Sequence, residues 1–146
     1  VELSGTSPED RNTLIDGLAM PIGIAEDDGN LWVSDSAIGA VFQIAADGQF
    51  LSEPLMVAEG LAGPEGLAVA HDGTLLVVEA GAGRLSRIDL VTGEVTPIAE
   101  NLALGVVSPA AVPTAFFNGV SVGEDGAVYV TGDVENLLYQ LTLSTQ

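Results

Sequence analysis

The sequence predicts an all-β chain built from four-stranded antiparallel blades, about three of them, in the manner of a β-propeller. Three observations carry that expectation. A glycine-led apolar run, an Asp-Gly pair and a second apolar run recur three times, with the Asp-Gly glycines at Gly29, Gly73 and Gly126. The spacings of 44 and 53 residues are within or just above the length of blade-forming repeats. Each repeat also breaks into short apolar runs divided by turn residues, as an antiparallel meander requires. Finally, no stretch of ten or more residues keeps a 3.6-residue period between helix caps, so helix is not needed anywhere.

In order along the chain, strand a opens each repeat at Gly23, Gly66 and Gly119. The pairs Asp28-Gly29, Asp72-Gly73 and Asp125-Gly126 follow as hairpin turns, because Gly accepts the left-handed backbone such turns demand. Strand b is then Leu31 to Ser34, Leu75 to Val78 and Val128 to Thr131. Acidic residues end it (Asp35, Glu79 and, displaced by one, Asp133) and are expected to accept backbone N–H groups in the b-to-c turn. Strand c runs Val41 to Ile44, Leu85 to Ile88 and Leu138 to Leu141, and strand d is Leu55 to Ala58 and Val95 to Ala99.

Both ends of the chain add to this. Leu14-Ile15-Asp16-Gly17-Leu18 matches Val57-Ala58-Glu59-Gly60-Leu61 and Ile98-Ala99-Glu100-Asn101-Leu102, so it reads as a strand d standing ahead of the first whole blade. The resulting division is 1–18, a strand d of a preceding or neighbouring blade; 19–61, blade 1; 62–102, blade 2; and 103–146, blade 3 without its strand d. Propellers hold about 4 to 8 blades. Three cannot close such a ring, so the expectation is either a segment of a longer protein or a head-to-tail homo-oligomer. Two copies would give a six-bladed homodimer whose front strands complete its last blades and remove the open sheet edges.

The run from Gly66 through His71-Asp72-Gly73, Glu79 and Gly81-Ala-Gly83 to Arg84 and Ile88 resembles the NHL-type repeat. More broadly the chain is similar to the NHL, gluconolactonase (SMP-30) and scytonemin-cluster propellers. That resemblance implies a blade shared by proteins of differing activity. In the gluconolactonase and paraoxonase groups it also implies metal ligands at the channel, carboxylates and asparagines placed just before a strand-a glycine. Glu65 and Asn118 match that place, so they are the candidate ligands of a divalent cation such as calcium. Calcium takes about six to eight oxygens, and the two residues from each of two subunits, with waters, would supply them. Ile22 holds the third such position and offers none. The alternative is that Glu65 and Asn118 only cap or solvate the loop before a tight glycine turn.

Charge narrows the partners. Of 146 residues 21 are acidic, three are arginine and none is lysine, giving a net charge of -18. A surface of that sign repels nucleic acid and anionic membranes. No apolar run approaches the roughly 18 residues of a membrane span. The absence of cysteine excludes disulfides and thiolate sites, and with the acidity leans toward an extracellular or periplasmic protein.

Other motifs are dull in context. Gly119-Val-Ser121-Val-Gly123 has the letters of a serine-hydrolase elbow, but the elbow needs a strand running into a helix, and Ser121 lies inside strand a. The only histidine, His71, sits at an a-to-b turn, away from any triad. Gly81-Ala-Gly83 has no helix after it to hold phosphate, and Asp27-Asp28-Gly29-Asn30 lacks the ligand spacing of an EF-hand. The long apolar loop before the third strand a is more informative. Its residues Val106, Val107, Pro109, Pro113, Phe116 and Phe117 are candidates for a ligand or partner contact, a lid or a channel plug.

Two functions follow as expectations: a non-catalytic binding or scaffold propeller assembling head to tail, with contact on its channel face, or a metal-dependent lactone or ester hydrolase. In either case self-repulsion among the carboxylates is relieved by screening. The melting temperature should therefore rise with sodium chloride, and a flat profile would mean the charges are already paired or dispersed.

Overall fold

The computed structural model describes residues 13–105 and 117–142. Among these residues eleven strands form three antiparallel sheets in sequence order. The first holds β1 (Pro21–Asp27), β2 (Asn30–Asp35), β3 (Ala40–Ala46) and β4 (Gln49–Glu59). The second holds β5 (Pro64–Val69), β6 (Leu75–Glu79), β7 (Arg84–Ile88) and β8 (Val95–Ala99). The third has β9 (Val120–Val122), β10 (Ala127–Gly132) and β11 (Leu137–Thr142).

Local chemistry sets the turns. Asp28-Gly29 and Asp47-Gly48 each place two successive residues at positive φ (45° and 80°, 51° and 74°), as tight hairpins with a right-handed twist require. The Asp-Gly pairs of the other two blades turn differently. Asp72 and Asp125 keep negative φ, and their carboxylates instead accept the N–H of Thr74 and Ala127 two residues on. Strand β4 begins six residues before the expected Leu55. Its ladder with β3 is irregular between Gln43 and Ala45, where Leu51, Ser52, Glu53 and Pro54 stand opposite Ile44 alone. A proline and a charge on an outer edge discourage further pairing. One 3-10 turn, Ala80–Ala82, occupies a link expected to be free of helix.

Packing between sheets makes the core. Alternate residues of β6 point to opposite faces: Leu75 and Val77 meet Trp32, Val41 and Ala58 of the first sheet and Leu61 of the connection after it, while Leu76 and Val78 meet Val128 and Val130 of the third and Leu104 of the connection before it. A strand buried on both faces has no polar face to show, which is why β6 reads as a continuous apolar run. Burying each such side chain contributes about 1.5–3 kcal/mol.

A carboxylate at the end of strand b ties each blade to the connection entering it. Asp35 is buried and accepts N–H groups from Ala19 (2.6 Å), Met20 (3.0 Å), Ala37 (3.1 Å) and Ile38 (3.1 Å). Glu79 departs from expectation: instead of the b-to-c turn it takes the Ala62 N–H, a two-pronged contact from Arg84 at 2.7 and 2.8 Å, and the Ser86 hydroxyl. In the third blade Gly132 stands at the equivalent position, and the Tyr139 hydroxyl receives the Ala103 N–H at 2.8 Å. A side chain at Gly132 would meet the Tyr139 ring at 2.8 Å. Asp133, one residue on, accepts the Gly105 N–H.

Leu14 to Leu18, expected as a strand d, forms no ladder, because no strand c lies beside it among the described residues. Ile15 and Leu18 nevertheless pack on Val33, Ala40, Phe42 and Ile44.

Burial alone would raise the Asp35 carboxyl, but its four backbone donors hold it below the ordinary 3.8. Burial likewise would raise the Glu79 carboxyl, but the donors of Arg84, Ala62 and Ser86 outweigh it and hold that group below the ordinary 4.5. Depressed carboxyls stabilise the fold above their unfolded pKa and lose that contribution as pH falls through the folded value. The urea midpoint should thus hold to about pH 5 and fall below it. Asp35→Asn should cost about 1–3 kcal/mol at pH 7 and flatten the acid limb; an unchanged limb would remove Asp35 from this role.

Candidate functional site at the strand a entry

The inner strands β1, β5 and β9 enter their sheets through glycines that permit close approach. A Cβ on Gly23 would stand 2.1 Å from the Glu65 carbonyl oxygen, and one on Gly66 would stand 2.7 Å from that of Asn118. Only a residue without a side chain fits either place. The first two ladders are irregular around these glycines, between Pro21 and Ile24 and between Pro64 and Leu67.

Polar groups stitch the resulting seam. Between the first and second sheets, the Ser34 hydroxyl accepts the Gly23 N–H at 2.8 Å and donates to the Glu65 carbonyl at 2.6 Å. Between the second and third, Gly66 N–H donates to the Asn118 carbonyl at 3.0 Å. Across that junction one Glu65 oxygen, Oε2, accepts both the Asn118 backbone N–H (2.6 Å) and its Nδ2 (2.9 Å). The Asn118 Oδ1 in turn accepts the Asp133 N–H at 3.2 Å. Asn118 is 1 % exposed and Glu65 9 %.

The two residues singled out from sequence are therefore brought together, and they bond directly to each other. That gives the capping alternative a definite form: the carboxylate and amide bridge two blades. The donor set for a cation is partial. Among the described residues no three His, Cys, Asp or Glu gather as a metal-binding group, and the Asn118 oxygen already has a donor. Phe117 beside the pair is exposed. Val106, Val107, Pro109, Pro113 and Phe116 lie outside the described residues.

Sequence reasoning missed the hydroxyls. Thr131 occupies the repeat position of Ser34, and its Oγ1 accepts the Gly119 N–H at 2.7 Å as Ser34 does for Gly23. Both lie five residues beyond an Asp-Gly glycine, with Val78 in the middle blade; that recurrence was the available signal. A concavity of about 480 Å³ opens along the inner strands and includes Glu26, Asp27, His71 and Ser121. Ser121 and His71 thus share a cleft, but Ser121 lies within β9 opposite Tyr129 rather than on an elbow before a helix.

No family model matches the chain, and no curated protein is significantly similar in sequence. Solved structures are similar in shape. A gluconolactonase from Xanthomonas campestris superposes with a TM-score of 0.61 at 23 % identity, over 86 % of this chain and 39 % of that one. The chain adopts the β-propeller fold. Virginiamycin B lyase from Staphylococcus aureus (TM-score 0.53, 18 % identity) matches over 86 % of this chain and 42 % of its own, and a luciferin-regenerating enzyme (0.55, 15 %) over 84 % and 44 %. The chain spans about two fifths of the length of these propellers.

Asn118→Ala leaves the residue-118 backbone N–H on Glu65 but removes the Nδ2 donor to that buried carboxylate and the acceptor of the Asp133 N–H. It should destabilise the fold by about 1–3 kcal/mol in urea titrations. A loss below about 0.5 kcal/mol, the range of an ordinary surface change, would show that the bridge is dispensable.

Proposed function

We propose that this propeller is a non-catalytic binding or scaffold module that assembles head to tail and presents its channel face to a ligand or partner. The observation that carries this reading is the Glu65–Asn118 bridge. The residues best placed for chemistry at the strand a entry are engaged with each other and hold β5 to β9. Supporting it, the acidic residues at the ends of β2 and β6 bind the connections entering their own blades rather than converge on one point. The head-to-tail part draws on the strand-d pattern of Leu14 to Leu18, and the channel face on the strand a entries that the seam brings together.

A second reading is favoured by one fact: a buried carboxylate and a buried amide do meet where the gluconolactonase resemblance implies ligands. In it, Glu65 and Asn118 of two copies hold a divalent cation such as calcium. A cation bound there would polarise a lactone or ester carbonyl and activate water. Binding would first require the Asn118 amide to release or share the Glu65 carboxylate.

Calcium titration separates the two. For the scaffold, calcium should do no more than its ionic strength does, with Glu65→Gln responding as the parent does and neither hydrolysing simple lactones. For the hydrolase, calcium at a hundredfold excess over Kd should add about 2.7 kcal/mol of stability, an increment that Glu65→Gln abolishes.

A further inference from the structure

The outer surface of the third sheet is unlike that of the other two. Val41 and Leu85 occupy one repeat position near the start of strand c, and both are 0 % exposed. Each lies beside the strand d of its own blade and against the next blade. Leu138 is their counterpart and is 68 % exposed. Leu137, at the position of the wholly buried Ala40, is 43 % exposed. Among the described residues β11 pairs only with β10.

Leu14 to Leu18 has the complementary form. Gly17 has φ 81°, like its repeat counterparts Gly60 at 75° and Asn101 at 59°. Ile15 and Leu18 rest on the first sheet as Ala58 and Leu61 rest on the second. The Ala19 N–H is bound by Asp35 as the Ala62 N–H is by Glu79. This segment is thus held over blade 1 as a strand d would be, with its outward edge unpaired among the described residues.

We infer that a second copy of this chain fills the gap in a defined register: Leu18 N–H of one copy donates to the Asn136 carbonyl of the other, Ile15 faces Leu138, and Asp16 faces Leu137. The two complete sheets supply that register. Leu61 N–H donates to Gly39 at 2.9 Å and Leu102 N–H to Gly83 at 2.8 Å. Gly39, Gly83 and Asn136 all have positive φ (73°, 58° and 55°), so the acceptor turn of the third blade is already formed. Val41 faces Ala58, Leu85 faces Ala99, and Ala40 faces Glu59. Both ladders are irregular just after that pair, between Val41 and Phe42 and between Leu85 and Ser86, which puts Leu14 in the bulge and Thr13 opposite Tyr139. Leu138 would then pack on Leu31, Val33 and Ile44, the repeat counterparts of the Leu75, Val77 and Ile88 that cover Val41. This inference rests on the head-to-tail reading and adds the pairing that reading leaves open.

The chain has no cysteine, so each introduced thiol is unique. Facing residues of an antiparallel pair have Cα atoms about 4.5–5.5 Å apart, within disulfide reach. Ile15→Cys and Leu138→Cys chains, mixed and mildly oxidised, should form a covalent heterodimer. Ile15→Cys mixed with Leu137→Cys should not, since a shift of one residue turns the side chain to the other face. Sedimentation of the unmodified chain should give a dimer mass, lost in Leu138→Asp while its far-ultraviolet circular dichroism is kept. A dimer without the Ile15–Leu138 disulfide would overturn the register and leave the assembly standing. A monomer at every concentration would overturn both. Preferential self-linkage of Leu138→Cys would mean that two β11 edges meet, and would overturn the register as well.

Discussion

The fold hangs on a carboxylate buried at the end of each of the first two blades' second strands. Asp35 and Glu79 sit where a propeller has least tolerance, at the crossing from the outer strand of one blade to the inner strand of the next. That crossing leaves backbone N–H groups with no ladder partner, and burying them unpaired would cost about as much as a lost hydrogen bond each. An ionised acceptor answers several of them at once. Position then follows: with the crossing fixed, Gly23 and Gly66 are delivered to the seam, the inner strands come within hydrogen-bonding distance, and the apolar faces of neighbouring sheets close on each other.

The third blade shows how the requirement survives a change of residue. With its acidic residue moved one place to Asp133, the crossing is held by two groups, the Tyr139 hydroxyl on Ala103 and the Asp133 carboxylate on Gly105. Space for the Tyr139 ring comes from Gly132, the residue that replaced the acid. The junction that enters blade 3 thus divides between a phenol and a carboxylate the work that a single carboxylate does at each of the two before it.

Much of this was legible in the sequence, for physical reasons. The Asp-Gly pairs and the alternation of apolar runs specify turns and strands locally, and the recurrence specifies that the units stack. Glu65 and Asn118 could be singled out because each stands just before a strand-a glycine, the place where the gluconolactonase resemblance implies ligands. What was not legible depends on groups far apart in sequence. Nothing local says that Glu79 turns toward Arg84 and Ala62 rather than its own turn, or that Glu65 will find Asn118 53 residues away. The extension of β4 back to Gln49, across an irregular stretch that ends at Pro54, carries no apolar alternation by which to read it. Ser34 and Thr131 went unread because hydroxyls are common in strands, and only their shared repeat position distinguishes them.

The seam between blades also differs from one junction to the next. The first is closed by a hydroxyl on a carbonyl, Ser34 to Glu65, and the second by an amide on a carboxylate, Asn118 to Glu65. Repeats alike enough to stack are alike enough to stack in the wrong order, and a folding chain of near-identical blades can join its first directly to its third. Here such a shortcut would set Asn118 against Ile22, leaving the amide without its carboxylate and Glu65 without any partner. The unequal seams therefore match each blade to one neighbour and not to the other.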